Sequence, residues 1–274
     1  PAAPTQGFIT PENYTFYLDN LAGAFFCQPM LRSIHFLRDS SMTMNLIRKA
    51  AKRTNVTMWP TYKSQMKRHV HYPYGHKLIN RHFEKYGSIP YLNIPKGYKN
   101  WANRFFEGVC PNKYVVVVNP RQSGLTANAA TTYRDADLSV WNKFFERVNV
   151  HYPEVQFLYV GGYDEIAAET LTIPNVLPTR TLGLELAHEL ALIVLADMFM
   201  GTSSGFASMA TFLKVPYLIC NVEHYFSEFA QIPVGENYPF SHEGQTLLWE
   251  KEDEDILFAY LEREIDRKKL KFSN

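Results

Sequence analysis

From Tyr114 to the C-terminus, short apolar β-type runs alternate with amphipathic helical segments, and this alternation restricts the possible fold most. Tyr114 to Val118 is a continuous β-favouring run, the pattern of a strand buried on both faces. Asp137 to Val150 reads as a helix with Leu138, Trp141, Phe144, Phe145 and Val148 on its apolar stripe. Further strands are expected at Val155 to Val160, Asn175 to Leu177, Asp197 to Met200, Val215 to Cys220 and Thr246 to Trp249. Helices are expected at Asp164 to Leu171, Leu182 to Leu195, Ser203 to Leu213 and Asp253 to Lys268. Such alternation predicts an α/β fold with a parallel sheet and helices on both faces.

The first 110 residues read differently. Ser33 to Leu37 is a short β-type run, Thr43 to Thr54 a helix with Thr43 or Asn45 as cap, and Val56 to Trp59 a second β-type run before Pro60. That is one strand–helix–strand unit, enough for an abbreviated α/β domain, and the rest of the region reads as irregular. At 274 residues the chain suits two modest domains, here 1–110 and 111–274. Residues 61–85 carry Lys63, Lys67, Arg68, Lys77, Arg81 and Lys85 with four histidines and one acid, Glu84. This is either a solvated basic face or a docking surface for an anionic acceptor. The histidines lack metal-site spacing.

The formal net charge of +1 gives no reason to expect nucleic acid or an anionic membrane as partner. Aromatics reach 15%, which fits either an aromatic core or carbohydrate-facing surfaces. Cys27, Cys110 and Cys220 lie far apart, as reduced thiols in a cytoplasmic protein would. No run approaches 18 apolar residues, so at most peripheral membrane association is expected. Pro1-Ala-Ala-Pro-Thr carries no initiator Met and no signal-like region, and reads as the start of an excised or trimmed domain.

In an open parallel sheet, ligands bind outside the carboxyl ends of the strands. That rule selects three loops: Asn119 to Gly124 continuing to Asp135, Gly161 to Asp164, and Gly201-Thr-Ser-Ser-Gly205. Small residues between an apolar strand and a helix let a phosphate approach the backbone, and Ser203 and Ser204 add hydroxyls. A serine there equally serves as a helix cap that needs no ligand. Arg121, just past the first strand, is suited to bidentate phosphate binding, with Arg134 a second candidate. Either could instead form a surface ion pair, Arg134 with Asp135 or Asp137. A loop arginine of that kind should contribute little to stability.

The ordered set VVVVNPRQSG, TTYRDADLSVW, FLYVGG and ADMFMGTSSGFASMATFLKVPYLI resembles bacterial GT-B glycosyltransferases that build surface polysaccharides. The last piece is similar to the heptosyltransferase pattern of strand, Gly-x-x-Ser-Gly, helix, Val-Pro, strand. The arginine loop resembles the fucosyltransferase-like branch. The clear resemblance spans Val115 to Asn221. It implies that Thr202, Ser203, Ser204 and Gly205 hold the diphosphate of a nucleotide-sugar donor, with Arg121 neutralising charge on it. It places Leu177 to Thr179, with Leu182 starting the next helix, near the base and ribose; Gly161 is a candidate binding residue from its place in the second loop. The acceptor, a glycan or lipid-linked saccharide, would face the N-terminal domain.

The resemblance also implies no cofactor and no metal, the leaving diphosphate being stabilised by cations and helix N–H groups. Retaining members carry two acids with seven residues between them at the phosphate turn, and Gly201 to Ser208 holds none. An inverting displacement is therefore expected, with Asp39 as general base and His35 or His71 behind it. Asp39 is equally placed to cap the helix that follows. Two alternatives remain at this stage, a nucleotide-sugar epimerase and a non-catalytic glycan-binding module of a larger protein.

Overall fold

In a computed structural model, the described residues are 5–9, 31–36, 73–123, 134–162 and 165–272, with the isolated positions 27, 45, 48, 49 and 52. Near the N-terminus β1 (Thr5–Ile9) pairs in parallel with β2 (Leu31–Phe36). Two helices follow, α1 (Pro73–Tyr86) and α2 (Lys96–Val109). Then come β3 (Tyr114–Asn119), α3 (Leu138–His151), β4 (Val155–Tyr159), β5 (Val176–Pro178), α4 (Leu186–Leu195) and β6 (Met198–Thr202). The chain finishes with α5 (Gly205–Ala210), β7 (Tyr217–Cys220), α6 (His224–Ala230), β8 (Gln245–Leu247) and α7 (Glu254–Phe272).

The main sheet is six-stranded and parallel, in the order β5-β4-β3-β6-β7-β8. Building starts at the middle strand β3, proceeds outward through β4 and β5, then returns to β6 and goes the other way. The reversal leaves a crevice at the carboxyl ends of β3 and β6, where connections leave in opposite directions. Both faces of β3 are buried, as its unbroken valine run predicts. Val115 and Val117 join a core with Ala102 of α2, Leu190 to Ile193 of α4 and Ala207 of α5. Val116 and Val118 join a core with Trp141, Phe144 and Phe145 of α3 and Leu257 and Leu261 of α7. In the second core Phe145 lies 4.7 Å from Phe157 and 5.8 Å from Trp141, centroid to centroid. Each such pair adds about 0.5–1.5 kcal/mol beyond area burial.

Most expected elements are present, and their differences have local causes. The helix expected over Asp164 to Leu171 is replaced, in its described part, by turns ending in a 3₁₀ segment at Thr170–Thr172. There Thr170, Leu171 and Thr172 bond three residues back, and the Tyr159 hydroxyl takes the Glu165 carbonyl that a helix would use. Pro174 blocks continuation. α4 starts at Leu186 rather than Leu182, because Gly183 sits at φ 69° and Glu185 is extended as the cap. α5 is shorter than expected at six residues, capped by Ser204 at its start.

The N-terminal region is less irregular than its sequence suggested. α2 presents Tyr98, Trp101, Phe105 and Phe106 to the core beside α4, and α1 packs on α6. Most of the helix expected over Thr43 to Thr54, and the strand at Val56 to Trp59, lie outside the described residues. Among the described residues no helix is long and apolar enough to cross a membrane. All three cysteines are buried and free.

One contact sets the strand spacing at the crevice. A Cβ built on Gly201 would lie 2.6 Å from the Asn119 carbonyl oxygen, a backbone atom that cannot swing aside. A Cβ on Gly205 would meet nothing within 4 Å. Gly201→Ala is therefore expected to cost about 1–3 kcal/mol through overpacking. Gly205→Ala should be neutral or stabilising by up to about 1 kcal/mol. Urea denaturation of the two variants tests this, equal losses contradicting the close approach.

Candidate functional site

The carboxyl edge of β3 and β6 brings together two of the three loops singled out from sequence. Asn119-Pro120 ends β3, and the Arg121 backbone N–H donates to the Thr202 hydroxyl at 3.1 Å. Thr202 is fully buried, so its side chain joins the two loops from beneath. Ser203 and Ser204 are half-buried and Gly205 is exposed at the mouth. Ser204 accepts from the Ala207 N–H at 3.1 Å, so the capping role expected of one serine belongs to it.

The Arg121 guanidinium is paired with Asp135, and the Ser123 hydroxyl donates to the same carboxylate oxygen at 2.9 Å. Both partners of the ion pair are less than one-fifth exposed. The pair is thus more sheltered than the surface pair expected from sequence, and is screened less than a surface one. Arg134, half-buried, precedes Asp135 on the same loop. That loop is itself tied down. Ala136 N–H donates to the Arg121 carbonyl at 2.9 Å, and Asp137 N–H to Glu252 Oε1 at 2.6 Å. The Glu252 N–H donates in turn to Asn221 Oδ1 at 3.2 Å. Asn221 adopts φ 57°, a left-handed conformation that asparagine tolerates.

The third loop lies across β4 and β5. Gly161 takes φ 140°, and a Cβ there would meet Glu165 Oε2 at 2.6 Å, so backbone geometry alone requires glycine. Thr179 is fully buried, with its hydroxyl 2.9 Å from the Tyr159 carbonyl and 2.8 Å from Glu189 Oε1. Arg180 donates to the carbonyls of Gly161 at 3.0 Å and Leu184 at 3.1 Å, and pairs with Glu189 at 3.2 Å. Burial pushes the Glu189 carboxyl up to about 7, against Arg180 and Thr179, which favour its charged form.

Of the residues proposed for proton transfer, His35 lies on β2 opposite Phe8 in backbone register. Asp39 and His71 lie outside the described residues. Among the described residues no group of three His, Cys, Asp or Glu side chains is arranged to hold a metal ion. Sequence reasoning missed Arg180, Glu189, Asn221 and Glu252. Glu189 left a usable signal, a single acid within the apolar run Leu-Ala-His-Glu-Leu-Ala-Leu-Ile-Val-Leu. The others had none.

Among solved structures, the chain is similar to a glycosyl transferase of family 9 from Veillonella parvula DSM 2008. The TM-score is 0.59 at 9% identity, covering 97% of this chain and 89% of that one. The fold is that of a GT-B glycosyltransferase. ADP-heptose lps heptosyltransferase II of E. coli is also similar, at TM-score 0.45 and 11% identity, over 66% of this chain and 55% of that one. No protein-family model matches the sequence, and neither does any curated protein. In this GT-B fold the six-stranded sheet with its Arg121 and Thr202 loops is the part described most fully.

Glu189 makes stability depend on pH. A carboxyl held at about 7 in the folded chain, against 4.5 as its ordinary value, keeps a proton that the unfolded chain releases. Its contribution is complete below about 4.5 and is lost as pH rises to about 7. Between pH 5 and 8 this amounts to about 2 kcal/mol. Glu189→Gln should flatten that part of the profile in urea melts at the two pH values. An unchanged profile would show that Glu189 is ionised throughout.

Proposed function

We propose that this protein transfers a glycosyl unit from a nucleotide-diphosphate sugar to a glycan or lipid-linked saccharide acceptor, by inverting displacement and without a metal. The observation that carries the reading is the joining of the Arg121 and Thr202–Gly205 loops at the reversal point of a parallel sheet. The GT-B fold and the glycosyltransferase named among its similar structures support it. In this reading residues 1–110 serve the acceptor and 111–274 the donor.

The chemistry follows from placing the diphosphate in that crevice. The acceptor hydroxyl oxygen attacks the anomeric carbon while the bond from that carbon to the phosphate oxygen breaks, its electron pair leaving with the nucleoside diphosphate. A base on the N-terminal side, Asp39 with His35 in support, takes the acceptor proton. Arg121, with Arg134 nearby, opposes the charge growing on the leaving oxygen. Ser203, the Ser204 hydroxyl proton and the exposed backbone at Gly205 donate to the phosphates. Gly161, held by Arg180, and Thr179 keep the neighbouring wall in shape for the nucleoside.

Arg121 separates binding from folding. Arg121→Ala should weaken nucleotide affinity by about 1.5–3 kcal/mol, the worth of a charge-assisted hydrogen bond. Losing the sheltered partner of Asp135 should also lower stability by about 1–2 kcal/mol. Arg121→Lys should recover only part of the affinity, because an ammonium lacks the planar fork. Calorimetric titration with the nucleoside diphosphate of the preferred donor, beside urea melts, measures both. Unchanged affinity in a folded Ala variant would remove Arg121 from the site.

Metal independence has its own test. Binding and turnover should persist in excess chelator, the counter-charge being supplied by arginine and backbone N–H groups. Loss on chelation with recovery on adding Mg²⁺ or Mn²⁺ would overturn that part of the mechanism.

A further inference from the structure

Glu189 is a fully buried carboxyl that the proposed chemistry does not use, and it lies against the turn at Gly161 and Gly162. One ion pair takes both polar groups of the Gly161 backbone. The Gly161 N–H hydrogen-bonds the Glu189 carboxyl, and the Gly161 carbonyl accepts from Arg180 Nε at 3.0 Å. Arg180 Nη2 in turn lies 3.2 Å from Glu189 Oε2. The Thr179 hydroxyl donates to Glu189 Oε1 at 2.8 Å, and Arg180 Nη1 is anchored by the Leu184 carbonyl at 3.1 Å. Gly161 stands at φ 140°, where glycine alone is at ease, so these contacts decide where the turn points.

The same turn adjoins the root of the Arg121 loop. The Val160 carbonyl accepts from Asn119 Nδ2 at 2.8 Å, and the Tyr159 hydroxyl donates to the Pro120 carbonyl at 2.9 Å. A displaced Gly161 would therefore disturb both the wall proposed for the nucleoside and the strand end from which Arg121 springs.

Arg180 faces Glu189 from the 3₁₀ turn Thr179–Leu182, and Glu165 faces it from the segment after β4. The first favours the ionised carboxyl and the second opposes it. α5 carries no charged residue, and α2 meets the neighbouring His188 with the rings of Tyr98 and Trp101. Once protonated, Glu189 offers Arg180 and Gly161 neutral hydrogen bonds, about half as strong as those of a carboxylate. Burial brings that change up to about pH 7.

We infer that Glu189 and Arg180 are positioning residues for the donor: the ionised pair holds the Gly161 turn in its binding shape, and protonation of Glu189 releases it. The inference rests on the donor-site reading above. Donor affinity then follows the ionised fraction of Glu189. That fraction falls from about nine-tenths at pH 8 to about one-tenth at pH 6, so affinity should fall by up to about tenfold.

The test titrates the full chain with UDP-glucose, GDP-mannose and ADP-glucose at pH 6, 7 and 8 by calorimetry. Both phosphates of these donors are esterified, so the ligands do not themselves titrate in this range. The donor that binds should bind about five- to tenfold tighter at pH 8 than at pH 6. Glu189→Gln, neutral and of the same shape, should bind equally at all three, at the weak level of the parent at pH 6. Titration of His188 would persist in that variant, so a flat profile assigns the effect to Glu189. Arg180→Gln removes the cation that favours the carboxylate, and should still be gaining affinity at pH 8. Arg180→Lys should return the midpoint to about pH 7, and this pair gives the readout if Glu189→Gln melts low. Uniform affinity from pH 6 to 8 in a chain that binds a donor overturns this inference and leaves the donor site standing. A pH dependence that survives in Glu189→Gln also overturns it. Failure of all three donors to bind at every pH overturns the donor-site reading, and this inference with it.

Discussion

The close approach of β3 and β6 is the constraint on which the rest of the structure depends. Asn119 pairs with Gly201 at the last rung of the ladder, and Gly201 has no side chain to hold the strands apart. The next residue, Thr202, can then place its hydroxyl under the Arg121 N–H. Asn119 also reaches sideways, donating to the Val160 carbonyl at 2.8 Å and so tying β4 to the same edge. Three loops from three central strands are fixed relative to one another by these few bonds. A crevice at the reversal point of a parallel sheet is general to the architecture; its shape here comes from the missing Cβ.

The two faces of the sheet bear on that edge differently. The α3 and α7 face is packed with aromatic rings and closed by the Glu252 and Asn221 bonds over its rim. The opposite face carries α2, α4, α5 and α6, and draws Cys27, Ile89 and Ile94 from the N-terminal region into its core. There α5 is only six residues long, and a small pocket is lined by Ser204, Ala207, Ser208 and Thr211 of its segment.

Sequence made the C-terminal sheet legible because both of its signals are local. Four valines in succession mark a doubly buried strand, and the stripe of Trp141, Phe144, Phe145 and Val148 marks the helix above it. The loops at the carboxyl edge were also legible, since topology alone selects them. What remained hidden depended on long-range partners. Asp135 was one of two surface partners open to Arg134, yet it pairs with Arg121, fourteen positions earlier in the chain. Glu252 and Asn221 meet the Asp135 loop from far along the sequence, and no spacing rule connects them. α2 could have been found: Tyr98, Trp101, Ala102, Phe105 and Phe106 follow helical periodicity, although lysines and asparagines dilute the stripe. The expected helix after Gly162 failed because the Tyr159 hydroxyl competes for a carbonyl, which propensity does not register.

The pairing of Arg121 with Asp135 bears on how an anion would be held. A sheltered guanidinium without a counter-charge would be costly in the absence of ligand, and Asp135 offsets that cost. Ser123 and the Ala136 N–H bond fix the carboxylate and the loop carrying it, so the guanidinium is oriented before any ligand arrives. Pre-organisation of this kind lowers the entropic penalty of binding. It also limits the gain, because Asp135 repels a diphosphate while Arg121 attracts it. The net attraction is then the modest one expected of a single shared cation, strongest where the phosphate approaches from the Thr202–Gly205 side, away from the carboxylate. If the proposed donor binds here, weak attraction before reaction and stronger attraction as charge builds on the leaving oxygen would place binding energy where transfer needs it.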